Sequence, residues 1–193
     1  YVMVTGTVAG QVKINHLENG LRLSNWGDAI SHTIAESALL QILTSLRGVG
    51  SHFNKTYVEK SWLTEKGPKS LQTLFRKNVG LLGFGAIAQK LVPLLKPFEA
   101  KVSFYDPYTS DDILKEHPGA IRYETVEELF ANNHIISNHC ANIPETNNLI
   151  NQKMLSLLPD NGIIVNTARG NSLDEEALAK EHQKGRLWSC LDV

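Results

Sequence analysis

From residue 78 onward, the chain switches repeatedly between two hydrophobic rhythms. Short apolar runs at 78–82, 101–105, 135–137, 162–166 and 187–191 read as strands. Between them, residues 86–96, 126–131, 152–158 and 173–183 carry apolar side chains at helical spacing. Strands alternating with helices of this length predict an α/β fold, with parallel βαβ units and a doubly wound sheet covered on both faces. Upstream, Ile34, Ala35, Ala38, Leu39, Ile42, Leu43 and Leu46 mark a long amphipathic helix over 31–46, stopped by Gly48 and Gly50. Residues 51–77 are polar and mixed, and read as a connector with a helical turn or two. Residues 1–30 read as a strand at 1–4, a glycine-bearing segment at 5–10 and a second strand at 21–24. Pro93 lies inside a predicted helix, where it should remove a hydrogen bond and kink the axis. The chain opens on Tyr1 within one apolar run and stops at Val193 within another, so it reads as a fragment.

Composition narrows the partners. With 193 residues, 42% apolar and 20% charged, the chain suits a soluble globular domain. A formal net charge of −1, with lysines and arginines scattered, offers no stripe for nucleic acid. No apolar stretch approaches the roughly 20 residues of a membrane span, and no signal peptide opens the chain. Cys140 and Cys190 read as buried free thiols in a reducing, cytoplasmic setting. The histidines show no metal-ligand spacing, and the clusters Asp111-Asp112 and Glu124-Glu127-Glu128 read as solvated faces.

The first chemical motif is Gly83-Phe84-Gly85-Ala86-Ile87-Ala88, which fits G-x-G-x-x-G/A between a predicted strand and a predicted helix. Gly83 allows the tight turn, and Gly85 lets a pyrophosphate approach the backbone. The amides of Ala86 and Ile87 point from the positive end of the helix, and Ala88 lets helix and strand pack closely. Asp106 ends the next strand about 20 residues on, where an acid accepts hydrogen bonds from the adenosine ribose of a dinucleotide. The same carboxylate would repel the 2′-phosphate of NADP, and no Arg or Lys follows it until Lys115. Asp106-Pro107 is also ordinary turn chemistry. Loop and acid together point to NAD.

Ile163-Ile164-Val165-Asn166-Thr167-Ala168-Arg169-Gly170, followed by Leu173-Asp174-Glu175-Glu176-Ala177-Leu178, resembles the signature of the D-isomer-specific 2-hydroxyacid dehydrogenases. His139-Cys140-Ala141 with Pro144-Glu145-Thr146, Thr33-Ile34-Ala35-Glu36 and the closing Cys190-Leu191-Asp192-Val193 are similar to the same family. The resemblance implies a Rossmann-type NAD-binding domain over 31–193, incomplete at its C-terminus. Residues 1–30 would be a remnant of a flavodoxin-like substrate domain, with Val8, Ala9 and Gly10 resembling its carboxylate loop. Arg169 takes the place of the catalytic arginine, whose planar guanidinium holds the substrate carboxylate and polarises the C2 oxygen. Thr167 and Ala168 would line the nicotinamide pocket. Asp192 would accept a hydrogen bond from the carboxamide, and Cys140 and Thr146 would flank the adenosine side. In relatives the region of the long helix forms a homodimer interface.

Two departures matter. A complete family member has a further lobe ahead of Tyr1. It also has a Glu and then a His beyond the position of Asp192, the His taking the hydroxyl proton as hydride leaves C2. His139 falls beside the cofactor loop, as a structural or cofactor-adjacent residue. The expectation is hydride transfer between NAD(H) and a 2-hydroxy/2-oxo acid by the parent protein, with this chain inactive alone. The alternatives are a non-catalytic NAD(H)-responsive module, as in corepressors, and the cofactor domain of a formate or phosphite dehydrogenase.

Overall fold

The computed structural model of the chain describes residues 18–20, 22, 24, 27–62 and 71–193. The expected strands at 1–4 and 21–24, and Val8, Ala9 and Gly10, lie outside these wholly or in their apolar residues. Six strands form one parallel sheet: β1 (Asn78–Leu82), β2 (Lys101–Tyr105), β3 (Ile121–Arg122), β4 (Ile135–Asn138), β5 (Gly162–Asn166) and β6 (Leu187–Leu191). Their spatial order is β3-β2-β1-β4-β5-β6. That is the order of a dinucleotide-binding Rossmann sheet, whose direction of winding reverses between β1 and β4 and opens a crevice at their carboxyl ends.

Both faces are covered. On one, α1 (Ser31–Leu46) and α3 (Ala86–Leu95) pack over Val79, Leu81, Phe104, Ile135, Ile163 and Val165. On the other, α5 (Val126–Ala131), α6 (Gln152–Leu157) and α7 (Glu175–Gln183) cover Leu82, Ile136, Ile164 and Leu187. The helices start where side chains satisfy their first amides. Thr125 accepts from Glu128 N–H while the Glu128 carboxylate takes the Thr125 amide, a reciprocal cap. Asn151 accepts from the amides of Lys153 and Met154, and Asp174 accepts from that of Ala177. Asp174 therefore precedes α7, and the helix begins two residues later than the spacing from Leu173 predicts.

Other differences from the sequence reading are local. After Gly48 the chain winds on into α2 (Val49–Phe53) and a wider helical turn over Asn54–Val58, so Gly50 is helical and no stop. The α3 axis carries Pro93 on its exposed side and runs only to Leu95, then tightens into a turn over Lys96–Phe98. The short α4 (Ile113–Glu116) and the two-residue β3 lie where no periodicity marked them. Glu128 is a capping group and Glu127 pairs with Lys153, so that acidic cluster does more than meet solvent.

Candidate active site

The crevice is built from the loop that follows β1. Gly83 has φ +87°, and a Cβ there would stand 2.9 Å from the backbone carbonyl of His139. The close approach of the β1 and β4 ends thus requires glycine twice over, for conformation and for space. Phe84 turns inward, fully buried, and stacks on Phe104 of β2 at 3.9 Å between ring centroids. Its amide donates to Asp106 Oδ2 at 2.7 Å, locking the loop to the end of β2. Gly85 caps α3 with no side chain, and a Cβ there would meet nothing within 4 Å. The first turn of α3, with Ala86 and Ile87, therefore presents its amides to an open space, and no acidic side chain lies in that turn.

Asp106 is held at both oxygens, since Oδ1 accepts from the Tyr108 amide at 2.8 Å. Beside it lies a cleft of about 240 Å³ lined by Gly83, Gly85, Asp106, His139, Cys140 and Thr146, among others. A larger recess, about 670 Å³, opens elsewhere between α3 and the approach to β3, and none of the residues expected at the site except the helix itself borders it. The Thr146 hydroxyl hydrogen-bonds within its own turn, to the carbonyls of Ala141 and Ile143. The His139 imidazole pairs through Nε2 with Ser137 Oγ at 2.9 Å, while its Nδ1 is buried without a partner. Burial lowers its pKa to about 4, so it is neutral at pH 7. Burial, aided by the charge of Asp106, raises the Cys140 thiol to about 12.

The far end of the crevice rests on a buried polar network. Asn138 donates through Nδ2 to Asn166 Oδ1 (3.0 Å) and Ser172 Oγ (2.7 Å), and its Oδ1 accepts from the Cys140 amide (3.1 Å). Asn166 accepts the Ala168 amide and donates to the Arg169 carbonyl, which also receives Ser172 Oγ–H. These bonds fix the backbone on both sides of Arg169 and tie it to the Cys140 turn. Among the described residues the Arg169 guanidinium has no carboxylate partner; Nη1 donates to the Ala168 carbonyl at 2.6 Å. Thr167 Oγ1 is buried and unpartnered. Asp192 follows β6, its amide bonded to the Asn166 carbonyl, with its side chain exposed. Asn138 and Ser172 escaped the sequence reading. Asn138 left a signal, as a second polar residue after Ser137 at the end of an apolar central strand; Ser172 left none, because its role emerges only when the turn Gly170–Ser172 folds back.

The sequence profile of the D-isomer specific 2-hydroxyacid dehydrogenase, NAD binding domain, matches residues 39–193. The chain belongs to this family. It is 32% identical over 177 residues to a hydroxypyruvate reductase of Thermotoga maritima, covering 91% of this chain and 55% of that protein. It is also 32% identical over 168 residues to a D-2-hydroxyacid dehydrogenase (NAD+) of Lacticaseibacillus paracasei, covering 87% of this chain and 49% of that protein. Among solved structures, the NAD-dependent formate dehydrogenase from Staphylococcus aureus in complex with NAD matches with TM-score 0.85 at 26% identity, over 99% of this chain and 57% of that one. This chain thus spans about half the length of the curated relatives it matches.

The cofactor of this NAD-binding domain is NAD. The residues present fit it on three counts. Gly85 leaves free space over the α3 amides, Asp106 ends β2 at the mouth of the cleft, and Thr167 Oγ1 is an orphaned polar atom at the end of β5.

Proposed function

We propose that this domain holds NAD(H) for hydride exchange with a small 2-hydroxy/2-oxo acid, and that Arg169 is its catalytic arginine. The observation that carries this reading is the state of Arg169. Its backbone is pinned by Asn166 and Ser172, while its guanidinium lacks an acid among the described residues. A planar cationic fork on a pinned backbone, with no acid beside it among the described residues, suits a carboxylate that arrives with the substrate.

When bound, NAD(H) supplies the hydride acceptor or donor. This chain's residues would hold it: the amides of Ala86 and Ile87 would take the pyrophosphate, Asp106 the ribose hydroxyls, and Cys140 and Thr146 would line the adenosine side. Thr167, Ala168 and Asp192 border the nicotinamide end, and Arg169 grips the carboxylate and draws electron density toward the C2 oxygen. His139, neutral and with a pKa near 4, is a weak base at pH 7. In the family pattern the proton goes to a His whose pKa a Glu tunes, and neither of the two matches a residue of this chain.

Saturating NADH with pyruvate, glyoxylate, hydroxypyruvate and phenylpyruvate tests this through nicotinamide absorbance. The 193-residue chain alone is expected to show no turnover, whereas the protein carrying this domain turns over and Arg169→Lys lowers kcat/KM by about 100-fold or more. An Arg169→Lys variant as fast as the parent overturns the assignment. Turnover by the chain alone at about one per second, lost in Arg169→Ala, would make His139 the first candidate for the proton.

The setting proposed is cytoplasmic, supported by two cysteines that form no disulfide. Among the described residues no helix is long and apolar enough to cross a membrane. A homodimer is proposed through α1 and the segment after it, where Leu40, Phe53, Tyr57 and Trp62 are exposed. Nothing in the comparisons supports a corepressor-like module.

A further inference from the structure

Asp106 faces the cleft without a basic residue near it in sequence, but the fold supplies one. Arg122 pairs with Phe104 across the β2–β3 ladder, two residues short of Asp106, and the register sets it beneath the β2–α4 loop. Its guanidinium donates through Nη2 to the Asp106 carbonyl at 3.3 Å and through Nη1 to Asp111 Oδ1 at 2.8 Å. The Arg122 side chain is 19% exposed, while Asp111 is 93% exposed. Two of the five guanidinium hydrogens are engaged in these bonds, and the remaining donors have no partner among the hydrogen bonds of the described residues. Asp111 is a weak tether, because an ion pair in which one partner is almost wholly in water contributes little.

We propose that Arg122 is a latent 2′-phosphate ligand of this cofactor site. NADP(H) is refused by the Asp106 carboxylate, and Asp111 keeps the adjacent guanidinium occupied. Discrimination then rests chiefly on the Asp106 carboxylate rather than on a missing cation, with the solvated Asp111 a weak competitor for the fork. The inference depends on the reading above that Asp106 takes the adenosine ribose. With that carboxylate removed, the cation left hydrogen-bonded to the Asp106 backbone is Arg122, whose planar fork matches a phosphate. Removing Asp111 as well frees the fork.

The test is a pair of fluorescence titrations, NADH and NADPH, on the unaltered chain and on four variants. These are Asp106→Ser, and Asp106→Ser combined with Asp111→Asn, with Arg122→Leu or with Arg122→Lys. The ratio of NADPH to NADH affinity is the readout, so damage common to both cofactors cancels. Asp106→Ser should raise the ratio, and Asp111→Asn should raise it further. Arg122→Leu should then cut NADPH affinity by about 10-fold or more while NADH changes by less than about 3-fold, the scale of one charge-assisted contact. Arg122→Lys should keep part of the gain, as charge without the fork. NADPH affinity unchanged by Arg122→Leu overturns the inference. Should Asp106→Ser fail to fold, the same ratio is read with Asp106 in place, rising in Asp111→Asn and falling in Arg122→Leu; a ratio unmoved by both overturns it. Failure of the unaltered chain to bind NADH overturns the ribose reading itself, and is seen before any variant is compared.

Discussion

Gly83 and Gly85 stand two residues apart in one motif, yet the structure assigns them different work. Gly83 is conformational, with φ +87° and a Cβ that would press on the His139 backbone at 2.9 Å. Gly83→Ala should therefore cost roughly 1–3 kcal/mol of stability and lower the melting temperature by several degrees. Gly85 has an ordinary φ of −74° and open space where its Cβ would be. Gly85→Ala should melt with the unaltered chain but bind NADH about 10-fold more weakly or worse, since its methyl would occupy the approach of the pyrophosphate. Equal melting losses for the two, or undiminished binding by Gly85→Ala, would contradict this division. The pattern G-x-G was legible in the sequence; the division was not, because it depends on how near β4 passes.

Acid should destabilise the protein in two stages, with His139 the most strongly shifted group in the upper one and Glu181 in the lower. His139 titrates normally near 6.5 when unfolded and near 4 when folded, so its contribution is complete above pH 6.5 and fades as pH falls toward 4. Glu181 is held down at about 2 from 4.5, first by the Lys184 ammonium and also by Arg186 and Gln152. Its contribution is complete above pH 4.5 and is lost as pH falls through about 2. Urea midpoints measured from pH 7 downward should show His139→Asn flattening the upper part of the decline and Glu181→Gln the lower part. A profile that neither substitution changes would contradict both.

At the scale of elements, the crevice is a meeting of strand ends, and the Asn138–Asn166–Ser172 network is what joins them. Asn138→Leu keeps the side chain's branching but takes the acceptor from the Cys140 amide and one of two partners from each of Asn166 Oδ1 and Ser172 Oγ. Leaving the Cys140 amide without its acceptor should cost about 1–3 kcal/mol in a denaturation experiment, and a variant as stable as the parent would show that the network is dispensable. Long elements were legible because their burial repeats: β1, β4 and β5 are buried almost throughout, and α1 puts Ala35, Ala38 and Ile42 on one face. β3 was not legible, because two residues carry no period and its pairing to β2 is set entirely by tertiary contact. That omission had a consequence, since Arg122 on β3 is the base the sequence order hid from Asp106. Arg169 and Asn166 were found through one motif, whereas Ser172 lies on a returning turn and Asn138, which ties Asn166 to Ser172, on another strand.

Among the described residues, Leu40 on α1 and Val49, Phe53, Tyr57, Val58 and Trp62 in the segment after it expose large apolar side chains to solvent. Sedimentation at micromolar concentration should find a species of twice 21.4 kDa, and Phe53→Glu with Tyr57→Glu should return it to 21.4 kDa. A single 21.4 kDa species in the unaltered chain would contradict the dimer. The central claim, that this chain is a competent NAD site, is tested most directly by titrating NADH into the unaltered chain at neutral pH while following nicotinamide fluorescence. The account predicts saturable binding of one cofactor per chain with a dissociation constant below about 1 mM, which corresponds to roughly 4 kcal/mol. Fluorescence that rises linearly with NADH and never saturates would contradict it.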